Sequence, residues 1–211
     1  MTSQRMTNWE EYYRTPFPTA HLLRKITSAR LLRALRRYAM PMPHCRIMEF
    51  GGGGSSFAQY LTENISCREY IAADTSDAGL RRFEEIPLPC SKQAIMLDVT
   101  GGIPDFQADL VFSAGLIEHF SPENTRKAVQ AHFHALKPGG TAAFLFPADS
   151  FSYRTVRGCA EALHLWRFPD ERPLTFGEVR EAAGGYPLLH EEWIRSILLT
   201  QGLMIFRKEL A

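Results

Sequence analysis

The stretch Arg46–Ile65, RIMEFGGGGSSFAQYLTENI, decides the fold. Arg46–Phe50 is a short apolar strand candidate, Gly51-Gly52-Gly53-Gly54-Ser55-Ser56 a turn, and Phe57, Tyr60, Leu61 and Ile65 share one face at helical spacing. Strand, glycine turn and helix open an α/β nucleotide site, where the ligand lies outside the carboxyl ends of the strands and the backbone must approach it closely. The dinucleotide pattern G-x-G-x-x-G fails in both registers, because Gly52 and Gly54 are followed by Phe57, and Gly51 and Gly53 by Ser56. No Gly-Lys-Ser or Gly-Lys-Thr follows to make a Walker loop.

The alternation continues downstream. Strands are expected at Tyr70–Ala73, ending at Asp74; at Ala94–Leu97, ending at Asp98; at Asp109–Ser113, before Gly115; and at Thr141–Phe146. Ser121 and Pro122 supply an N-cap and a first-turn proline, Val129, His132, Phe133 and Leu136 share a face, and Lys137-Pro138-Gly139-Gly140 stops that helix. His132 and His134 are read as packing and solvent exposure. Strands separated by helices imply βαβ units and a doubly wound, mainly parallel sheet. Pro187–Ser196 and Leu203–Glu209, joined through Leu199-Thr200-Gln201-Gly202, are close enough to be an antiparallel hairpin, which makes seven strands.

Upstream, Thr19–Tyr38 carries Leu22, Leu23, Ile26, Leu31, Leu32 and Leu35 among six basic residues, an amphipathic helix whose charges, Arg24 included, are expected on a solvated face. Met40-Pro41-Met42-Pro43-His44 breaks it. Trp9, Tyr12, Tyr13 and Phe17, with Pro16 and Pro18, form an aromatic segment that is either a lid or packing.

The 211 residues are 45% hydrophobic and 22% charged, which excludes disorder and small disulfide scaffolds. Lys and Arg total 24 against 23 Asp and Glu, a net charge of +1, so no global field favours nucleic acid or an acidic membrane. No apolar run is long enough to span a bilayer and the N-terminus has no signal-like stretch, so a cytoplasmic protein is expected. Cys45, Cys67, Cys90 and Cys159 are expected to be reduced thiols.

From Glu49 the segment matches E-x-G-x-G, and here the sequence resembles the class I S-adenosylmethionine-dependent methyltransferase family. IMEFGGGGSSFAQYL looks like the family's glycine-rich first motif, YIAAD like its acidic second strand end, MLDV like the third, DLVFSAGLIEHF like the fourth strand and its loop, and ALKPGGTAAFLF like the fifth-strand block. The ordered set covers Arg46 to Pro147. It implies a Rossmann-like α/β fold, S-adenosyl-L-methionine as cofactor, and methyl transfer. One methyltransferase domain over 1–211 is expected: an N-terminal helical cap at 1–44, a cofactor-binding core at 45–147, a substrate-side insertion at 148–186 and a C-terminal hairpin at 187–211.

Gly51, Gly52 and Gly53 form the expected cofactor loop. Asp74, twenty residues after Gly54, is placed to accept from the two ribose hydroxyls, with Thr75 beside it; a helix-capping aspartate is the alternative. The resemblance gives Asp98 the adenine amine, with the Val99 amide, against a turn-forming Asp before Thr100. Glu49 is either a loop anchor or an acid near the cofactor's amino group. Ser113, Ala114 and Gly115 are assigned to the sulfonium side. Glu118 and His119 are the candidate bases for an acceptor that must lose a proton, although in the family such a pair often shapes the pocket instead.

The acceptor is expected to be a small molecule methylated on oxygen or nitrogen, with Tyr12, Tyr13, Phe151, Tyr153, Arg154 and Trp166 as candidate substrate residues outside the shared core. The same aromatics would serve equally as the core of an added helical layer. A base-flipping N-P-P-Y loop is absent, which lowers nucleic acid as a substrate. No ligand cluster in the sequence demands a metal, no membrane contact is expected, and a homodimer is left open. The rival function is a catalytically silent, partner-binding methyltransferase-like subunit. A nicotinamide oxidoreductase is disfavoured by the broken glycine register and the lack of Tyr-x-x-x-Lys.

Overall fold

In the computed structural model, which describes residues 6–14, 20–39, 43–102, 106–194 and 201–210, β1 (Cys45–Phe50), β2 (Cys67–Asp74), β3 (Ser91–Met96), β4 (Ala108–Ala114), β5 (Leu136–Pro147), β6 (Leu188–Ile194) and β7 (Gln201–Arg207) form one sheet. Its order is β3-β2-β1-β4-β5-β7-β6. The first five strands are mutually parallel, and β7 runs antiparallel to both β5 and β6. The expected doubly wound sheet closed by an antiparallel hairpin is therefore present. Pro16, Phe17 and Pro18, the side chains of Leu22 and Leu23, and Leu199-Thr200 of the hairpin connection lie outside the described residues.

The sheet is covered on both faces because its central strands are apolar at successive positions. Met48, Phe50, Val111 and Phe144 pack with Val129 and Phe133 of α5 (Pro122–His134) and Val179 of α7 (Phe176–Ala183). Ile47, Leu110, Phe112 and Leu145 pack on the other face with Leu31 and Leu35 of α2 (Ala20–Tyr38) and Leu61 of α3 (Ala58–Asn64). α1 (Trp9–Arg14), α4 (Asp77–Glu84) and α6 (Phe151–Ala162) complete the helices. No described helix is long and apolar enough to cross a membrane.

β2 and β3 each begin three residues earlier than expected and β7 begins two earlier, and the largest difference is at β5. Ser121 caps α5 as foreseen, its hydroxyl accepting from the Asn124 amide at 3.4 Å, but β5 begins at Leu136 rather than Thr141. α5 ends at His134, before the Lys-Pro-Gly-Gly segment expected to stop it, and Leu136, expected on the helix face, already belongs to the strand: it pairs with Ala108, the register then shifts between Ala108 and Leu110, and Gly139 takes a φ of +77° that a side chain would strain.

His132 on α5 is fully buried against Phe50 and Phe144, its Nδ1 2.7 Å from the Ala128 carbonyl. Burial drives its pKa down to about 3, so the ring is neutral in the fold, whereas the unfolded chain titrates near the ordinary value of 6.5. The stability this neutral ring contributes is fully present above pH 6.5 and lost as pH falls toward 3. Urea midpoints should therefore drop between pH 7 and 5, and His132→Leu should flatten that acid limb while changing stability at pH 8 by no more than about 1–2 kcal/mol. An unchanged acid limb in the variant would contradict this assignment.

The chain winds from β1 outward through β2 to β3, then returns to place β4 on the other side of β1. That reversal opens a crevice at the carboxyl ends of β1 and β4, where open α/β sheets place their ligands.

Candidate functional site

The glycine loop after β1 is held by the neighbouring strand end. Gly51 and Gly52 donate their amides to the Ala73 carbonyl at 2.8 and 3.2 Å, and the Gly53 amide donates to Asp74 Oδ2 at 2.8 Å. Gly53 admits no side chain: a Cβ there would lie 2.7 Å from Asp74 Oδ2 and 2.8 Å from the Tyr13 ring. Asp74 Oδ1 accepts from the Ser76 amide at 2.9 Å, so the carboxylate both closes the loop and starts the turn into α4. Burial raises its pKa against these donations.

Glu49 is buried at the end of β1, and Tyr70 donates its hydroxyl to Oε2 at 2.5 Å. Burial outweighs the donations from Ser55 and Tyr70 and pushes the carboxyl up to about 7. Beyond β4, Ala114 and Gly115 line the same crevice, and the fully buried Ser113 hydroxyl makes no hydrogen bond among the described residues. Asp98 instead stands at an exposed turn, its Oδ1 accepting from the amide and hydroxyl of Thr100 at 2.8 and 2.7 Å, while Val99 is packed in the core. Thr75 is exposed next to Asp74.

The N-terminal segment lies across this crevice. Glu10 accepts from the Ser76 hydroxyl at 2.8 Å and from the Ala78 amide at the start of α4, a favourable place for a carboxylate. Tyr13 fills the space between Gly53 and Gly79 and sets its hydroxyl 3.2 Å from Asp74 Oδ2. Trp9 meets His119 edge to face, with ring centroids 4.9 Å apart, and the Thr7 amide and hydroxyl donate to Asp170. The aromatic segment is thus a strap from the Asp74 end of the crevice to the His119 end.

A cavity of about 310 Å³ opens beneath the strap. Glu49, Gly51, Gly53, Ala114 and Gly115 line it from the strand ends, and Tyr12, Tyr13, Tyr153 and Trp166 bring four of the six expected substrate residues to it. Phe151 and Arg154 are not brought there. α6 buries Tyr153 alone; Phe151 is 87% exposed on its outer side, and Arg154 is paired with Asp149 at 2.6 and 2.5 Å. Arg24 departs from the expected solvated face: it lines the cavity and donates to the Tyr12 hydroxyl.

Glu118 and His119 reach the cavity from a single 3-10 turn, Ile117–His119. His119 Nδ1 lies 3.2 Å from Asp170 Oδ1, and the neighbouring Glu171 accepts from the Tyr153 hydroxyl. Burial lowers the His119 pKa despite Asp170, whereas burial and the facing Glu171 raise that of Glu118 well above the carboxylate range. Glu118, His119 and Glu171 each bring one ligand atom to within 4.8 Å of the others, a cluster that sequence reasoning missed. Asp170 and Glu171 sit in an irregular stretch with no motif around them, so local pattern gave no signal for either.

Residues 48–142 match the family model described as a methyltransferase domain. No curated protein matches the chain. Among solved structures, the chain is similar to magnesium protoporphyrin IX methyltransferase from Synechocystis PCC 6803 with bound S-adenosylhomocysteine (11% identity, 95% of this chain and 93% of that one, TM-score 0.71). It is also similar to the N-methyltransferase NodS from Bradyrhizobium japonicum WM9 in complex with S-adenosyl-L-homocysteine (14% identity, 95% and 93%, TM-score 0.65). At these identities the likeness establishes the fold. The family match covers residues 48–142, less than half of the chain, and falls on the part of the sheet that runs from β1 to β5.

Proposed function

We propose that the chain, acting as one domain over 1–211, transfers a methyl group from S-adenosyl-L-methionine to oxygen or nitrogen of a small molecule, in natural-product or saccharide tailoring. The observation that carries this is the cavity itself: one partly open space has the glycine loop, Glu49 and the β4 end, together with Glu118, His119 and several aromatic side chains, among its lining residues. A donor and an acceptor can meet there under the strap.

The residues present fit the cofactor. Beside Gly53 the Tyr13 ring holds the space next to Asp74, whose Oδ2 accepts from the Tyr13 hydroxyl, and the fully buried Ser113 hydroxyl is left without a hydrogen bond among the described residues. We assign the ribose hydroxyls to Asp74, in exchange for Tyr13, the adenine to the Asp98–Val99 turn, the amino group to Glu49, and the sulfonium side to Ser113, Ala114 and Gly115. When bound, the cofactor supplies a methyl group on a sulfonium sulfur, a strong leaving group. The chain's own task is then alignment and exclusion of water. Trp9, Tyr12 and Phe168 roof the site, and Asp170 holds the His119 ring so that its other nitrogen is left to accept a proton.

Calorimetric titration of the full chain with S-adenosylmethionine and S-adenosylhomocysteine, with a nicotinamide cofactor as control, tests the proposal. Micromolar-range binding of the first two and none of the third is expected. Absence of all binding in folded protein freed of copurified ligand would favour the silent partner-binding subunit.

A further inference from the structure

The far end of the cavity combines buried carboxyl groups with aromatic walls. Glu118 is 1% exposed, and its Oε2 makes no hydrogen bond among the described residues although the side chain lines the cavity. Glu171, which accepts from the Tyr153 hydroxyl, and His119, its Nδ1 turned to Asp170, each bring a ligand atom within 4.8 Å of one on Glu118. Such a carboxyl either keeps a proton or, as the anion, needs a cation to complete it, and its free oxygen offers a place for one. Trp9, Tyr12 and Phe168 supply the surroundings: the Trp9 and Phe168 ring centroids lie 6.0 Å apart with their planes at 28°, and the Tyr12 centroid sits 5.5 Å from that of Trp9 and 5.6 Å from that of Phe168.

We infer that this end of the cavity binds an organic ammonium group, so that the methyl acceptor is an amine held by Glu118 and Glu171 against the Trp9, Tyr12 and Phe168 rings. The inference rests on the methyltransferase reading of the same cavity and narrows its acceptor class from oxygen or nitrogen to a basic nitrogen. Aromatic faces attract alkylammonium cations and offer nothing to the hydration shell of a metal ion, which separates this ligand from the divalent ion that the Glu118, His119 and Glu171 trio would otherwise suit. The unpartnered Glu118 Oε2 is the oxygen left to accept a proton from an amine inside the cavity.

The chemistry balances. The bound ammonium gives one proton to Glu118, and the amine's freed lone pair forms the new N–C bond. The S–C bond breaks as this bond forms, its electron pair staying on sulfur as a neutral thioether. The product leaves as a methylated ammonium ion, and Glu118 returns its proton to water.

The test uses the full chain and a pair of probes of the same shape, choline and its neutral isostere 3,3-dimethyl-1-butanol, titrated by tryptophan fluorescence with saturating S-adenosylhomocysteine. Choline should bind at least about 10-fold more tightly than the alcohol. Glu118→Gln and Glu171→Gln, checked for folding by circular dichroism, should each bring that ratio to within about 3-fold, and Trp9→Leu should weaken choline alone. Equal binding of the two probes by the unaltered chain overturns the inference without any variant. So does Mn²⁺ alone binding the chain and excluding choline, which would make the trio a metal site. Since S-adenosylhomocysteine binding is read separately, its loss would count against the methyltransferase reading, whereas its retention with no preference for the cation would count against the amine only.

Discussion

Asp74→Ala should lower the affinity for S-adenosylmethionine about 100-fold or more. Hydrogen bonds to a charged partner contribute about 1.5–3 kcal/mol each, so losing the carboxylate beneath two ribose hydroxyls removes at least two decades of binding. The carboxylate also satisfies the amides of Gly53 and Ser76, so the same change should cost about 1–3 kcal/mol of stability, read as a shifted urea midpoint. Tyr13→Phe acts in the opposite direction. Its hydroxyl occupies Asp74 Oδ2 before the cofactor arrives, and removing it takes away a competitor worth about 1 kcal/mol, which should tighten binding about 3- to 10-fold. Calorimetry on both variants separates the roles: unchanged affinity in Asp74→Ala would displace the ribose site, and weaker binding in Tyr13→Phe would make Tyr13 a direct cofactor contact.

Glu49→Gln should stabilise the folded chain while impairing it. The carboxyl is raised to about 7 against an ordinary 4.5, chiefly by burial. The fold therefore favours its protonated form, and the associated stability is fully present below pH 4.5 and lost as pH rises through 7. At pH 8 a neutral, nearly isosteric side chain that still accepts from Tyr70 should raise stability by about 1–3 kcal/mol, with no gain at pH 4.5. Cofactor affinity should fall about 10-fold if the charge serves the cofactor's amino group. A rise in stability with unaltered affinity would leave Glu49 as a loop anchor only.

The strap shows where legibility stopped. Trp9, Tyr12 and Tyr13 stand out by composition, yet nothing local tells a lid from packing, because that depends on what the segment lies against. Arg24 shows the same limit, since helical spacing divides a helix into faces without saying that one arginine reaches into a cavity. Asp98 held an open alternative, a turn-forming aspartate, and its contacts to the Thr100 amide and hydroxyl are those of a turn, while its part in holding the adenine remains a proposal.

What the sequence determined by itself is what local physics encodes. Strand–turn–helix alternation, glycines where the backbone must turn, acidic residues at strand ends and the order of the blocks follow from steric limits and hydrophobic periodicity within short windows. These were enough for the sheet and for the Gly51–Gly53 loop with Asp74. Tertiary structure alone decided the other half of the cavity. Thr7 and Asp170 are 163 residues apart, Tyr13 and Asp74 61 apart, and His119 and Asp170 51 apart. No periodicity spans such distances, and the contacts exist only because the packed sheet brings its carboxyl edge, the insertion and the N-terminal strap to one place.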